Sequence, residues 1–262
     1  MEAASTVPSN RLTGAHWPLI WDLAWKNIRL RYRGSLLGFA WALLSPLLFL
    51  VIFLFVFRHA FPAVPNYPVF ALTGLIFWTF FATVSGHILG ALVENAGVLK
   101  SMAVPPLAFP LGHLLSGSLN LFISFIPFAF ILLQFGWRPA PVHLLAIPLA
   151  LLLGVFTFGV GLVLCSLNVY FRDVGLLWST LLPALFYITP IAYPPSLIPA
   201  HLGWVAALNP LYHFIGLVRT VLVDGAVPGW EPWLAAAWCA ALGLVAGLLT
   251  HQWLRRGYVA NY

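Results

Sequence analysis

An all-α polytopic membrane protein is the fold class this sequence predicts, and three observations carry the prediction. Hydrophobic residues make up 62% of the 262 and charged residues only 7%, whereas a soluble domain averages about 25% charged. The mean hydropathy is +0.97, which leaves too little polar surface to face water. Apolar runs of about 20 residues, long enough to cross a bilayer, recur along the chain between short breaks holding Pro, Asn or Arg. The excess of twelve Lys and Arg over six Asp and Glu bears on topology in such a protein, not on nucleic acid.

Residues 1–16 are mixed and polar, and the first apolar run starts too late and is too long for a signal peptide. They are read as a flexible cytoplasmic tail. Over residues 17–33, Trp17, Ile20, Trp21, Ala24, Trp25, Ile28 and Tyr32 recur at helical spacing, with Asp22, Lys26, Asn27, Arg29 and Arg33 opposite. A helix of this kind lies in the membrane interface with its indoles at headgroup depth. It runs straight into a first span, 35–57, which carries no charge and holds Pro46. A push on the helix therefore moves the span.

The second span, 69–93, opens with Phe70, Phe77, Trp78, Phe80 and Phe81. A turn over 94–104 follows, containing Glu94, Asn95 and Lys100, and Pro105-Pro106 introduce the third span, 107–133. The fourth is 143–167. After the adjacent charges Arg172 and Asp173 comes a fifth, 175–193, broken by Pro183 and Pro190. Residues 196–222 stay apolar but are cut by His201, Asn209-Pro210, His213 and Arg219. That pattern fits a re-entrant helical hairpin, whose backbone must be buried in protein or line a wet cavity. An ionisable residue such as Arg219 is costly there unless paired or wet, so it is read as a gate or headgroup contact. The sixth span is 232–253, stopped by Arg255-Arg256.

Six spans put both termini on one side. Arg11, Lys26, Arg29, Arg31, Arg33, Lys100, Arg172, Arg255 and Arg256 fall on that side, against Arg58, Arg138 and Arg219 opposite. The asymmetry makes the terminal side cytoplasmic.

Catalytic chemistry is missing. No Gly-Lys-Ser/Thr sequence offers a phosphate loop, and no Cys or His set has metal-ligand spacing. Cys165 and Cys239 sit inside apolar runs and read as small buried side chains. His87 and Glu94 share a helix face, and six carboxylates are too few for paired acid–base work. Gly34/Gly38, Gly86/Gly90 and Gly243/Gly247 each match the small-xxx-small packing pattern. The chain reads as the membrane half of a machine powered elsewhere.

Arg31-Tyr32-Arg33-Gly34-Ser35-Leu36-Leu37-Gly38, with Trp41 and Ser45-Pro46-Leu47, resembles the opening signature of type-2 ABC permeases that export polysaccharides. The likeness continues through Tyr67-Pro68, Gly74, Trp78-Thr79-Phe80-Phe81, Asn95 and Leu99-Lys100. It resumes at Phe171-Arg172-Asp173, Pro190-Ile191-Ala192-Tyr193, Asn209-Pro210-Leu211 and Arg219. The chain departs from the family pattern at Ser101, where a second Lys is common, and at Val104-Pro105-Pro106, where Phe-Pro-Arg is common.

The resemblance implies one transmembrane domain over 1–262, working as a homodimer on two cytoplasmic ATPase subunits. ATP and Mg would bind those partners, and no cofactor is expected in this chain. Trp21, Trp25, Arg29, Arg31 and Arg33 of the interface helix, with Glu94, Asn95, Leu99 and Lys100 of the coupling turn, would meet the ATPase. Arg172 and Asp173 would sit in a cytoplasmic loop, and Tyr193, Asn209, Pro210, Tyr212 and Arg219 in a periplasmic gate. Trp41, Phe49 and Phe53 on the first span and Phe186 and Tyr187 on the fifth are the channel-lining candidates, since aromatic faces hold sugars weakly and without regard to sequence.

The expected activity is export of a lipid-linked polysaccharide or polyol-phosphate polymer across a bacterial inner membrane. Two readings stand beside it: a type-2 permease for drugs or lipids, and a membrane-embedded enzyme of glycan assembly.

Overall fold

The structure, a computed structural model, describes residues 16–57, 64, 66–102 and 104–258, with some side chains of the second helix left aside. The expected tail over 1–15, the loop cation Arg58 and the side chain of Phe53 lie outside the described residues. Every regular element among those residues is helical. The α-helices are α1 (Trp17–Tyr32), α2 (Trp41–Phe57), α3 (Tyr67–Glu94), α4 (Ala96–Ser101), α5 (Ala108–Gln134), α6 (Ala146–Tyr170), α7 (Asp173–Ile188), α8 (Gly203–Leu208), α9 (Pro210–Leu222) and α10 (Trp230–Leu254).

Among the described residues, four helical stretches are long and apolar enough to cross a membrane: Tyr67–Glu94, Ala108–Gln134, Pro141–Tyr170 and Trp230–Gly257. A fifth is counted if Ala200–Leu208 and Pro210–Leu222, bent by 94° at Asn209, make one broken span. The helices expected as spans one and five are shorter. α2 has 17 residues and α7 has 16, rises of about 26 and 24 Å against a hydrocarbon core of about 30 Å.

Both shortfalls have local causes. α2 begins at Trp41, not Ser35, because Gly34 and Gly38 adopt φ of 75° and 47°, a region open to glycine and strained for other residues. The Ser35 hydroxyl accepts the Gly38 N–H at 3.2 Å and closes that turn. α7 stops at Ile188, five residues before the expected end. Beyond it Pro190 supplies no N–H, and the chain leaves as a turn.

α3 is the central post, with Phe77, Phe81, Ile88 and Leu92 fully buried. α2, α5, α6, α7 and α9 pack around it, and α10 packs on α6. In lipid no hydrophobic drive pulls helices together, so close approach of backbones has to do it. Gly159 on α6 faces Gly243 and Gly247 on α10 so closely that a Cβ on Gly159 would collide with the Gly243 backbone. Gly161, on the same helix, lies against Ile88 of α3, where a Cβ would come within 2.7 Å. Of the three small-xxx-small matches, therefore, only Gly243/Gly247 is a packing seam. Gly34 and Gly38 form a turn, a Cβ on Gly86 would meet nothing within 4 Å, and one on Gly90 would meet only Glu94.

Aromatic rings fix α7 to the post. Trp78 meets Phe186 edge-on at 5.4 Å, Phe81 meets Trp178 at 6.0 Å, and the Trp178 indole donates to the Ser85 hydroxyl at 3.2 Å. At one end of the bundle the Tyr170 hydroxyl donates to Leu254 O and the Tyr258 hydroxyl to Ser166, tying α6 to the end of α10. At the opposite end Asn66 Nδ2 donates to Phe135 O and Trp137 Nε1 to Leu222 O.

Candidate functional site

Two constructions mark the two ends of the bundle. The first is the seating of α1. Pro18 opens this helix, where its missing N–H costs nothing, and Arg29 and Arg31 close it, where cations suit the helix dipole. Ile20, Ala24 and Ile28 are buried, while Trp17, Trp21 and Trp25 are exposed. The face read as one stripe is thus two. The aliphatic stripe meets protein, and the indoles one column over are exposed.

α1 packs on α5, and Gly112 makes this possible. A Cβ there would stand 2.9 Å from Leu23 Cβ and 3.6 Å from Ala24 N. A polar ladder runs beside this contact. Asn27 bonds His113 at 3.2 Å, His113 stacks on His87 at 5.8 Å between centroids, and Arg31 bonds His87 Nδ1 at 3.0 Å. One chain of contacts thus joins α1, α5 and α3. His87 turns to Arg31, not to the Glu94 that shares its face. Arg29 lies over the Trp25 ring at 5.4 Å, and Arg33 is exposed.

α4 stands at the same end. Asn95 Nδ2 donates to Ala91 O at 2.8 Å, ending α3, and the short helix that follows buries Leu99. Glu94, Lys100, Val98 and Met102 stay exposed. Arg172 and Asp173, also exposed, start α7, with Asp173 in the first turn, where a carboxylate suits the dipole.

If close backbone approach seats α1, Gly112→Leu lifts it from α5. A cysteine at Ala24, in a chain whose two native cysteines are replaced by alanine, is then expected to react with a soluble maleimide in the Gly112→Leu background and not without it. Equal labelling in both would mean that α1 sits elsewhere.

The second construction is a clamped turn after α7. A helix end leaves carbonyls without partners, and here side chains from α9, from α3 and from the turn itself satisfy carbonyls at and beyond that end. Arg219 of α9 donates to Pro190 O at 2.5 Å and to Ile191 O at 2.6 Å. The Tyr67 hydroxyl, at the start of α3, donates to Ala192 O at 2.7 Å. Tyr193 turns back to donate to Tyr187 O at 2.8 Å.

Asn209 acts twice in this turn. Its Nδ2 donates to the Thr189 hydroxyl at 2.8 Å, and its Oδ1 accepts the Leu211 N–H at 3.0 Å as the N-cap of α9. Pro210 follows at the start of that helix.

Arg219 itself is 7% exposed, and its guanidinium lies 3.5 Å from the centre of the Phe70 ring. The charge is met by two carbonyls and a π-face. The guanidinium is buried in the bundle. Gly74 leaves room for it, since a Cβ there would be 3.0 Å from Nη2.

The structure therefore brings Tyr193, Asn209, Pro210 and Arg219 together, with Tyr212 half-buried one turn into α9. Sequence reasoning did not assign roles to Tyr67, Phe70 and Thr189 here, nor to Asn27, Gly112 and His113 at the other end. The signal for Tyr67 and Phe70 was the demand itself, since a charge inside an apolar helix needs partners on its neighbours.

Of the channel-lining candidates, Trp41 and Phe49 lie on the exposed surface of α2 and Tyr187 on that of α7. Phe186 is half-buried between Trp78 and Tyr187, so packing accounts for much of it. Among the described residues no group of three metal-ligating side chains gathers, and both cysteines are free.

An all-helical bundle with four to five membrane-length helices among the described residues is an integral membrane protein. Residues 18–223 match the profile of the ABC-2 type transporter family, and the chain belongs to that family. Membership places it among transporters, not enzymes. It is 33% identical over 202 residues to the O-antigen export system permease protein RfbA of Klebsiella pneumoniae, covering 76% of this chain and 78% of that one. It is 29% identical over 224 residues to RfbA of Myxococcus xanthus, covering 84% and 85%. With the polysialic acid transport protein KpsM of Escherichia coli it shares 28% over 205 residues, covering 76% and 79%.

Proposed function

We propose that this chain is the permease subunit of an ATP-driven exporter that moves a lipid-linked polysaccharide across the bacterial inner membrane. The observation that carries the substrate class is the 33% identity, over three quarters of both chains, to a permease named for O-antigen export. Two copies of the chain would pair and dock on two cytoplasmic ATPase subunits, which bind ATP and Mg. α2 and α7 would serve as the first and fifth of six spans, with both termini cytoplasmic. Their exposed apolar faces (Phe49, Val51 and Phe55 on α2, Leu177, Leu181 and Tyr187 on α7) would meet the second copy and the passing glycan.

The end that carries α1 and α4 would face the ATPase. Trp21, Trp25, Arg29, Arg31 and Arg33 on α1, and Glu94, Asn95, Leu99 and Lys100 around α4, form its interface in this reading. Contacts from α1 through His113 and His87 to α3 supply a path by which movement at that surface reaches the central post. α8 and α9 would form a periplasmic re-entrant gate with the clamped turn at its base.

A strain lacking its own O-antigen permease tests this reading when it receives the chain together with the cognate ATPase. Surface O-polysaccharide is expected to return, and to be lost with an ATPase unable to hydrolyse ATP. Membrane-inserted chain with no surface glycan would overturn the proposal. In the same assay Trp41→Ala, Phe49→Ala and Tyr187→Ala are each expected to reduce export without reducing membrane-extracted protein. Normal export in all three would exclude an aromatic conduit at these positions.

A further inference from the structure

An open cleft of about 590 Å³ lies between α9 and the start of α10, within the range of about 300–1,000 Å³ usual for small-molecule sites. Its lining includes Tyr212, His213, Arg219, Thr220, Asp224 and Glu231. Ionisable groups in such number are costly against lipid, which favours a wet cleft over a lipid-facing one. It belongs to the end that carries the clamped turn, and Pro190 is also part of its wall.

Three features make it more than a gap. Arg219, 7% exposed, uses both Nη atoms on carbonyls, and its buried Nε has no hydrogen-bond partner among the described residues. Asp224 directly follows the end of α9, where its own N–H and that of Val223 both bond Arg219 O. A carboxylate at a helix C-terminus opposes the dipole, so it does not serve the stability of α9. Glu231, in the first turn of α10, lines the same cleft. Tyr212 and His213, edge-to-face at 5.6 Å, supply rings on the remaining side.

Rings beside planar carboxylates, a hydroxyl and a guanidinium suit a hydroxylated ring compound. C–H edges of a pyranose lie on the aromatic faces, and adjacent hydroxyls donate to carboxylate oxygens. One guanidinium against two carboxylates leaves the lining net negative. An anionic sugar would meet repulsion from Glu231.

We propose that this cleft is a binding subsite for neutral, hydroxyl-rich sugar units of the exported glycan and discriminates against acidic ones. The proposal rests on the polysaccharide-export reading and narrows it from polysaccharides in general to neutral ones. The subsite receives units as they leave the conduit, and its weak grip hinders their return. It sets this chain apart from a relative named for the transport of polysialic acid, an anionic polymer.

The test is saturation-transfer NMR on the full chain in lipid nanodiscs. The probes are neutral hexasaccharides of glucose, mannose and galactose and an acidic hexamer of sialic acid. Transfer to at least one neutral hexasaccharide and none to the acidic hexamer is expected. Tyr212→Ala should lower the neutral signal about fivefold, the worth of one aromatic contact, and Tyr212→Phe should retain most of it. The exposed pair Asp224→Asn and Glu231→Gln together should lower it further and remove the discrimination.

No neutral signal above that of empty nanodiscs, equal transfer to acidic and neutral hexamers, or a neutral signal untouched by all these variants would each overturn the subsite. If the chain restores surface glycan while any of those results is found, the subsite alone fails. If it restores none, the export reading fails first.

Discussion

Arg219→Met is expected to be the most damaging single substitution in this chain. Methionine fills the space but donates nothing, leaving Pro190 O and Ile191 O buried without a donor from the described residues. An unsatisfied buried group costs about 1–3 kcal/mol, so the loss is about 2–6 kcal/mol for the pair. Arg219→Lys keeps the charge and loses the planar fork that reaches two carbonyls and lies on Phe70, so an intermediate loss is expected. Tyr67→Phe removes one bond, to Ala192 O, and should cost about 1 kcal/mol. Thermal unfolding of the detergent-extracted protein should rank the three in that order, and export should follow. Equal behaviour of all three would mean that the turn is held by something other than these donors.

Gly159→Val is the second. A side chain at this position strikes the backbone of α10, not the movable end of another side chain, so the two helices must separate. Overpacking a close-packed contact costs about 1–3 kcal/mol, and the loss of the backbone seam adds to that. The expected outcome is little folded protein in membranes, with Gly247→Val behaving alike because it faces Gly159 from the other side. Gly86→Ala is the matched control. Its Cβ meets nothing, and exchange of glycine for alanine inside a helix favours the helix by up to about 1 kcal/mol. A Gly86→Ala protein as unstable as Gly159→Val would remove the argument from close approach.

These two sites also show what could be read from the sequence and what could not. The long helices were legible because apolar length and the positions of Pro and charge fix them. α3, α5, α6 and α10 fall within three residues of the expected spans. The ends of α2 and α7 were not, because they depend on turn geometry. Two glycines at positive φ delay α2, and a side-chain clamp from helices distant in sequence draws the chain out of α7. The pattern of glycines gave three equal candidates, and only the fold separates a packing seam from a turn and from an empty face.

The importance of Arg219 was legible from its cost in an apolar segment, but its partners were not. They are backbone carbonyls 28 and 29 residues earlier and a ring on α3, and neither kind leaves a mark in composition. His87 was visible as an ionisable residue in a span, on one helix face with Glu94. The structure joins it to Arg31 and His113, on helices that spacing along one element cannot bring together. On α1 the periodicity gave the right helix but merged two stripes, since a column of indoles and a column of aliphatic residues at neighbouring positions share one apolar signal.

ATP-driven transfer of glycan across a sealed membrane tests the central claim most directly. The chain and its ATPase partner are reconstituted into proteoliposomes with the ATPase outside, and a lipid-linked O-polysaccharide is added to the outer leaflet. A sugar-binding lectin enclosed in the lumen reports arrival. The account predicts lumenal glycan that appears with ATP, is absent with a non-hydrolysable analogue, and falls sharply with Tyr187→Ala. ATP hydrolysis at a normal rate with no glycan reaching the lumen would contradict it.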